Sequence, residues 1–287
     1  MKSVLFDVIH ITRYWYEAPV SQCLNEVRLT PRALPAQRVQ SSEITVDPKP
    51  AFFHSRKDYF GNDVSVFGVL EKHGQLTATA HSVVDVRSGA PRNVPSHTAI
   101  HVRDMLAAES DAELMEAAQF RFQSPYVPAV DGLAAYAREI FPSDRPLIDA
   151  VKELTRRIHA EFKYDPKATS IDTPLSEVFR SRSGVCQDFA HVMIGALRSM
   201  RLAARYVSGY VRSGGKYQGA QASHAWVSVY FPGAGWIDFD PTNNLIPEES
   251  HVTVAWGRDY GDVTPIKGVT LGGGGQTVDV EVYVRPV

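Results

Sequence analysis

Residues 183–202, SGVCQDFAHVMIGALRSMRL, and residues 223–242, SHAWVSVYFPGAGWIDFDPT, decide the fold. The first stretch is apolar at 189, 190, 193, 194 and 197, a helical recurrence, and is so poor in polar residues all round that it reads as a buried helix. Gly184 and Val185 precede it, and the glycine permits a tight entry turn that puts Cys186 in the first helical turn. The second stretch changes period: SHAWVSVYF and GWIDFD are short strand-like runs. Helices followed by an antiparallel sheet define an α+β arrangement.

Working outward, the texture of the chain changes near residue 105. Residues 4 to about 104 hold strand-like runs such as VLFDVIHITRYWY, SSEITVD, DVSVFGVLE and QLTATAHSVVDVR, separated by DPKP, FGND and KHGQ. Alternation punctuated by Gly, Pro and Asn predicts an all-β sandwich-like or barrel domain over residues 1–105. From about 106 helices dominate, including PLIDAVKELTRRIHAEF, apolar at 147, 148, 151, 154 and 158. The reading is one α+β domain over 106–287, with its motif core at 146–245, a Gly-rich loop at 272–275 and a closing C-terminal strand at 276–286.

Composition removes several classes. A chain that is 44% hydrophobic and 22% charged has enough apolar material for a core, which excludes disordered and collagen-like chains. A formal net charge of −2 provides no broad basic field, so neither nucleic acid nor an anionic membrane is expected as a partner. Cys23 and Cys186 are the two cysteines, too few for a disulfide scaffold and too far apart for a zinc ribbon. The N-terminal stretch lacks the apolar core of a signal peptide, and no run approaches a membrane span. The expectation is a cytoplasmic protein with reduced thiols.

Chemistry concentrates in the same two stretches. A thiol at a helix start faces unpaired N–H groups and the positive end of the dipole, which favour a thiolate. On local context alone the reading of Cys186 as a small buried hydrophobe is the favoured one. His224 and Asp240 lie on consecutive strand-like runs that can place imidazole beside carboxylate, and Cys, His and Asp together supply a nucleophile, a general base and an orienting group. Asp238 rivals Asp240 at i, i+2 on one strand face. Asp188 and His191 read as structural residues or as supports of the site. A zinc site of Cys186, His191 and His224 lacks the thiolates and spacing such sites use.

GVCQDFAHVMIGALRSMRLAARYVSGYV and SHAWVSVYFPGAGWIDFDPTNN resemble the core of bacterial transglutaminase-like proteins. HITRYWYEAPV, EVRLTPR and DYFGNDV resemble the β-rich N-terminal domain that accompanies that core, and VAWGRDYGDVTPIKG the segment that follows it. The resemblance implies a papain-like core, its nucleophile helix packed on an antiparallel sheet, with Cys186, His224 and Asp240 as the catalytic triad. It further implies Tyr164 as an aromatic oxyanion donor and Trp226, with Trp236, packed around the triad. No cofactor or metal is implied, and no acidic calcium-binding loop is present. The activity implied is acyl transfer through a Cys thioester on a peptide or amide substrate. A mainly hydrolytic cysteine peptidase or amidase is expected, because few residues follow the core for the extra β-domains of animal crosslinkers. The alternatives are a crosslinking protein-glutamine gamma-glutamyltransferase and a non-catalytic scaffold on the same fold.

Cys186→Ala is expected to abolish turnover, a loss of several orders of magnitude, while Cys23→Ala leaves it nearly unchanged. Steady-state rates on a common amide substrate check this, and retained turnover in pure Cys186→Ala protein overturns the mechanism.

Overall fold

The computed structural model describes residues 3–88, 93–214 and 217–287. Its first element, β1 (Ser3–Val27), is a single 25-residue strand. Phe6, Val8, His10 and Thr12 are buried on it, the period of two of a strand with one covered face. Its first part is flanked by β5 (His73–Arg87) on one edge and β13 (Gln276–Pro286) on the other. Register breaks between Trp15 and Val20, and the remainder is flanked by β4 (Asp63–Val69) and β12 (Ile266–Gly272). β2 (Gln37–Asp47) extends β5, and β3 (Phe52–Lys57) extends β4. The seven strands form one antiparallel sheet, in the order β2-β5-β1-β4-β3 with β12 and β13 also paired to β1. On this sheet Val20, Val27, Phe67, Val69, Leu76 and Ala80 belong to a small core separate from the main one. Cys23 lies inside that core, its sulfur accepting from Asn25 Nδ2 at 3.3 Å, a packing role with no reactive setting.

The sheet-rich first part is thus present, but the C-terminal strand is placed differently from the sequence reading. Residues 276–286 were expected to close the second domain; β13 instead pairs with β1 from Phe6 to Tyr16. The reason lies in β1, whose length leaves a second edge of N–H and C=O groups to be met. β12 and β13 meet it, and Gly272, Gly273 and Gly274 connect them at positive φ, a left-handed path that side chains disfavour.

The rest of the chain builds the second layer. Helices α1 (Ala99–Ala108), α2 (Ala112–Ala118), α3 (Leu133–Ile140) and α4 (Leu147–Glu161) lead to a two-stranded parallel pair, β6 (Lys163–Tyr164) with β7 (Ser183–Gly184), around α5 (Leu175–Ser181). Then come α6 (Cys186–Ser199), β8 (Ala204–Val211), β9 (His224–Phe231), β10 (Gly235–Phe239), β11 (His251–Gly257) and the short α7 (Tyr260–Val263). The last four strands form an antiparallel sheet in the order β10-β9-β8-β11. α6 is buried on every side, as its sequence predicts, and β8 and β9 are buried along their whole length. Arg198, in the last turn of α6, donates to the carbonyls of Phe120, Ala204 and Arg258 and to Ser124 Oγ. These acceptors satisfy a guanidinium that burial pushes down to about 10. No helix among the described residues is long and apolar enough to cross a membrane.

β11 is an edge strand of this sheet, and two amide side chains from the first part occupy its outer side. Gln37 donates to the Thr253 carbonyl at 2.7 Å and accepts from the Thr253 N–H at 2.8 Å. Asn62, from DYFGNDV, makes the same reciprocal pair with Trp256, both bonds at 2.9 Å. Each amide imitates a neighbouring strand and satisfies backbone groups that the edge would leave open. Gln37→Ala or Asn62→Ala strands buried polar groups, so each is expected to cost about 1–3 kcal/mol. Urea unfolding with an unchanged slope measures it, and a loss under about 0.5 kcal/mol in both variants contradicts this role.

Candidate active site

The site begins with the entry to α6. Val185 caps the helix in extended conformation, and Cys186 is its first residue. The Asp188 carboxylate turns back to accept the Val185 N–H at 2.8 Å and the Thr169 hydroxyl at 2.7 Å. An acid three residues after the cap satisfies one of the unpaired N–H donors of a helix start. Gly184 makes room for it, since a β-carbon there would stand 2.8 Å from Asp188 Cβ. Burial pushes the Asp188 carboxyl up, against its two hydrogen bonds. The order Gly184, Cys186, Asp188 therefore has a local cause: the carboxylate pins the backbone that presents the sulfur.

His224 is the first residue of β9, and its Nε2 lies 2.8 Å from Asp240 Oδ2, with both side chains fully buried. β10 ends at Phe239, and Asp240 continues it as a bridge to Leu245 across the turn at 241–244, so the two aspartates stay on one face. Their partners differ: Asp238 accepts from Trp226 Nε1 at 3.0 Å, whereas Asp240 takes the imidazole. Asp240 also accepts from the N–H groups of Thr242 and Asn243, from Asn243 Nδ2 and from His251 Nε2 at 3.1 Å. Burial alone would push His224 down, but the Asp240 carboxylate and the Cys186 sulfur outweigh it and raise it to about 10. Burial likewise opposes ionisation of Asp240, yet the two imidazoles hold it well below the usual carboxylate range.

Because the carboxylate accepts at Nε2, neutral His224 carries its proton there and keeps a lone pair at Nδ1. Nδ1 is buried and has no hydrogen-bond partner among the described residues. Cys186 and His224 line one cavity of about 430 Å³, together with Gln187, Tyr206 and Ser208. The seven-stranded sheet completes the lining, with His10 and Thr12 of β1 and Val278 and Val280 of β13. His10 is pushed down to about 4 by burial, and its nitrogens engage Tyr210 Oη and Thr12 Oγ1.

The supporting residues fall in different places. Trp226 has no exposure and lies against His224 at 6.1 Å and edge-on to His251 at 5.0 Å. Trp236 does not share that place: it packs on Phe120 and Tyr230 at the other end of the sheet. Tyr164 pairs beside Gly184 and meets Phe189 edge-on, and burial, followed by the charges of Cys186 and Asp240, pushes its hydroxyl up to about 12. It is not part of the cavity wall, where Tyr206 is the buried tyrosine beside Cys186. His191 is pushed down to about 3 by burial first, then by Arg198, and accepts from the Tyr260 N–H, a structural role.

Sequence reasoning missed His251, Asn243 and Tyr206. His251 is a lone histidine at a strand start, with no spacing signature toward Asp240. Asn243 stands in the quoted DPTNN run, where an Asx turn after Asp240 was the available signal. His224, Asp240 and His251 offer ligand atoms within 4.8 Å of one another, the set among the described residues able to hold a metal. Those atoms are already engaged in hydrogen bonds to one another and are buried.

The fold is a transglutaminase-like α+β core preceded by a β-sheet region. Residues 6–85 match the bacterial transglutaminase-like N-terminal region and residues 134–241 the transglutaminase-like superfamily, and the chain belongs to that superfamily. It is 36% identical to an uncharacterized protein of Mycobacterium tuberculosis, over 98% of this chain and 92% of that one. It is 33% identical to a protein-glutamine gamma-glutamyltransferase of Pseudomonas aeruginosa, over 42% of this chain and 19% of the relative. A solved structure from Cytophaga hutchinsonii, provisionally designated a cysteine protease, shares the fold with a TM-score of 0.79 at 20% identity, covering 100% of this chain and 92% of the other.

Asp240→Asn is expected to lower the rate about a thousandfold or more, because an amide accepts either tautomer and cannot balance an imidazolium. Asp238→Asn stays within about tenfold, or roughly 1.4 kcal/mol, and reversed effects would reassign the triad. The raised His224 and depressed Asp240 set the pH dependence. Their mutual stabilisation is complete between about pH 4 and 6.5, declines as pH rises through about 10, and is lost on acidification as Asp240 protonates. In Asp240→Asn the alkaline limb of iodoacetamide inactivation moves to lower pH by at least about one unit.

Proposed function

We propose that this chain is a thiol-dependent acyl-transfer enzyme that opens an amide or peptide bond and passes the acyl group mainly to water. The observation that carries the reading is the buried His224–Asp240 pair, whose imidazole lines one cavity with Cys186 at the start of α6 and keeps Nδ1 without a hydrogen-bond partner among the described residues. His224 Nδ1 takes the Cys186 proton, and the thiolate attacks the carbonyl carbon. The resulting oxyanion is met by the Cys186 N–H and the positive helix end. As the C–N bond breaks, His224 gives its proton to the departing amine, leaving a thioester. Water then attacks, His224 accepts its proton, and thiol and carboxylic acid are released. Asp240 holds the tautomer and balances the imidazolium throughout.

Water is favoured over an amine by the lining of the cavity. Gln187, Ser208, Thr12 and Gln276 provide polar partners that can hold a water beside the thioester. The likeness to a named gamma-glutamyltransferase supports the second reading, transfer to an amine. The intact Cys, His and Asp set weighs against a scaffold, which would alkylate slowly and without preference for Cys186 over Cys23.

The partition is measured with an amide substrate in millimolar dansylcadaverine, by quantifying free acid against amine adduct. Acid is expected to predominate. Predominant adduct at low amine overturns the hydrolytic reading and makes the protein a crosslinking transglutaminase.

A further inference from the structure

We propose that a second cavity, on the face of the β10-β9-β8-β11 sheet opposite Tyr206 and Ser208, binds a small zwitterion with an apolar body, the chemistry of a free hydrophobic amino acid. Tyr206 and Ser208 line the Cys186 cavity, whereas Arg205 and Val207, alternating with them on β8, line this one. Its volume is about 420 Å³, room for such a molecule.

Arg205 is the reason to expect a ligand. Its side chain is only 7% exposed, with the guanidinium between the rings of Trp236 at 4.2 Å and Trp256 at 3.7 Å. Arg32 stacks on the far side of Trp256 at 3.5 Å, so the group is held flat in a fixed ladder of rings and cations. Arg205 makes no hydrogen bond or ion pair among the described residues, and its buried Nε has no acceptor. Arg198 shows how the same protein treats a structural guanidinium: at similar burial it has four acceptors. Rings stabilise a cation but do not accept its N–H groups, and a planar fork lacking acceptors matches a carboxylate.

Opposite charge stands in the same wall without touching Arg205. Asp238 gives one oxygen to Trp226 Nε1, and no ion pair forms between Asp238 and Arg205 within 4.0 Å. Glu248 also lines the cavity and pairs with no cation among the described residues. A simple anion would face these carboxylates, and a simple cation would face Arg205. A molecule carrying carboxylate and ammonium a few bonds apart satisfies both. Val207, Ile237 and Ile246 supply the surface for an apolar side chain. His251, which donates to Asp240, forms part of the same wall, so the cavity adjoins the triad from behind.

L-Leucine is the probe, titrated by calorimetry and by tryptophan fluorescence, since Trp236 and Trp256 line the cavity. Saturable binding is expected in the wild-type protein. It weakens at least about tenfold in Asp238→Asn and in Arg205→Lys, and is lost in Arg205→Met. On the wild type, 4-methylpentanoate and 3-methylbutylamine, each lacking one charge of leucine, bind at least about tenfold more weakly. No binding at about 20 mM leucine overturns the proposal. So does equal binding by Arg205→Met, which would place leucine in the Cys186 cavity, and so does a single-charge analogue that binds as well as leucine. If circular dichroism finds Arg205→Met unfolded, Asp238→Asn and the wild-type analogue series decide.

Discussion

A carboxylate with no solvent exposure must be given donors, and Asp240 organises this molecule around that need. It receives hydrogen bonds from the start of β9, from the turn after β10 and from the start of β11. Among the described residues no arginine or lysine pairs with it; two imidazoles and a local turn supply its donors instead. The charge is therefore available to His224, and it keeps the imidazolium favourable in a site where burial alone would expel it. Three neighbouring segments of one sheet, β9, the turn after β10 and β11, converge on one carboxyl group, and their convergence fixes the imidazole of His224.

The thiol side of the centre depends on an equivalent arrangement at the start of α6. Asp188 satisfies the cap and Gly184 leaves it space, so Cys186 is presented by backbone held from both directions. Pairing of Tyr164 with Gly184 ties that entry to the end of α4. Cys186 thus stands on a rigid element whose own hydrogen bonds hold its position.

The sheet built on β1 has a part in the site beyond accompanying the core. Its length creates two edges, and the C-terminal strands return across the molecule to cover one of them. β13 thereby brings Val278 and Val280, and β1 brings Thr12, to the cavity that holds Cys186. Gln37 and Asn62 couple the same sheet to the open edge of β11, the strand that supplies His251. Both parts of the chain line the Cys186 cavity, and cutting between them would expose β11 and remove part of that lining.

Local pattern was enough to read α6, the strand-like runs of β8 to β10 and the sheet-rich first part, because apolar periodicity reports which faces are covered. Cys186, His224 and Asp240 were legible through a helix start, a strand run and the turn after it, supported by a family resemblance. What local pattern could not supply were pairings between distant segments. β13 looks like any alternating strand, and only the unfilled edge of β1 determines its partner. Asp238 and Asp240 are indistinguishable by alternation, and only the register of β10 against β9 brings one to Trp226 and the other to His224. His251 and Tyr206 carry no spacing signal, since each acts through a contact made by sheet register. Side-chain alternation and helix entry are properties of neighbouring residues, whereas edge pairing and donor supply to a buried charge arise only once the chain has closed on itself.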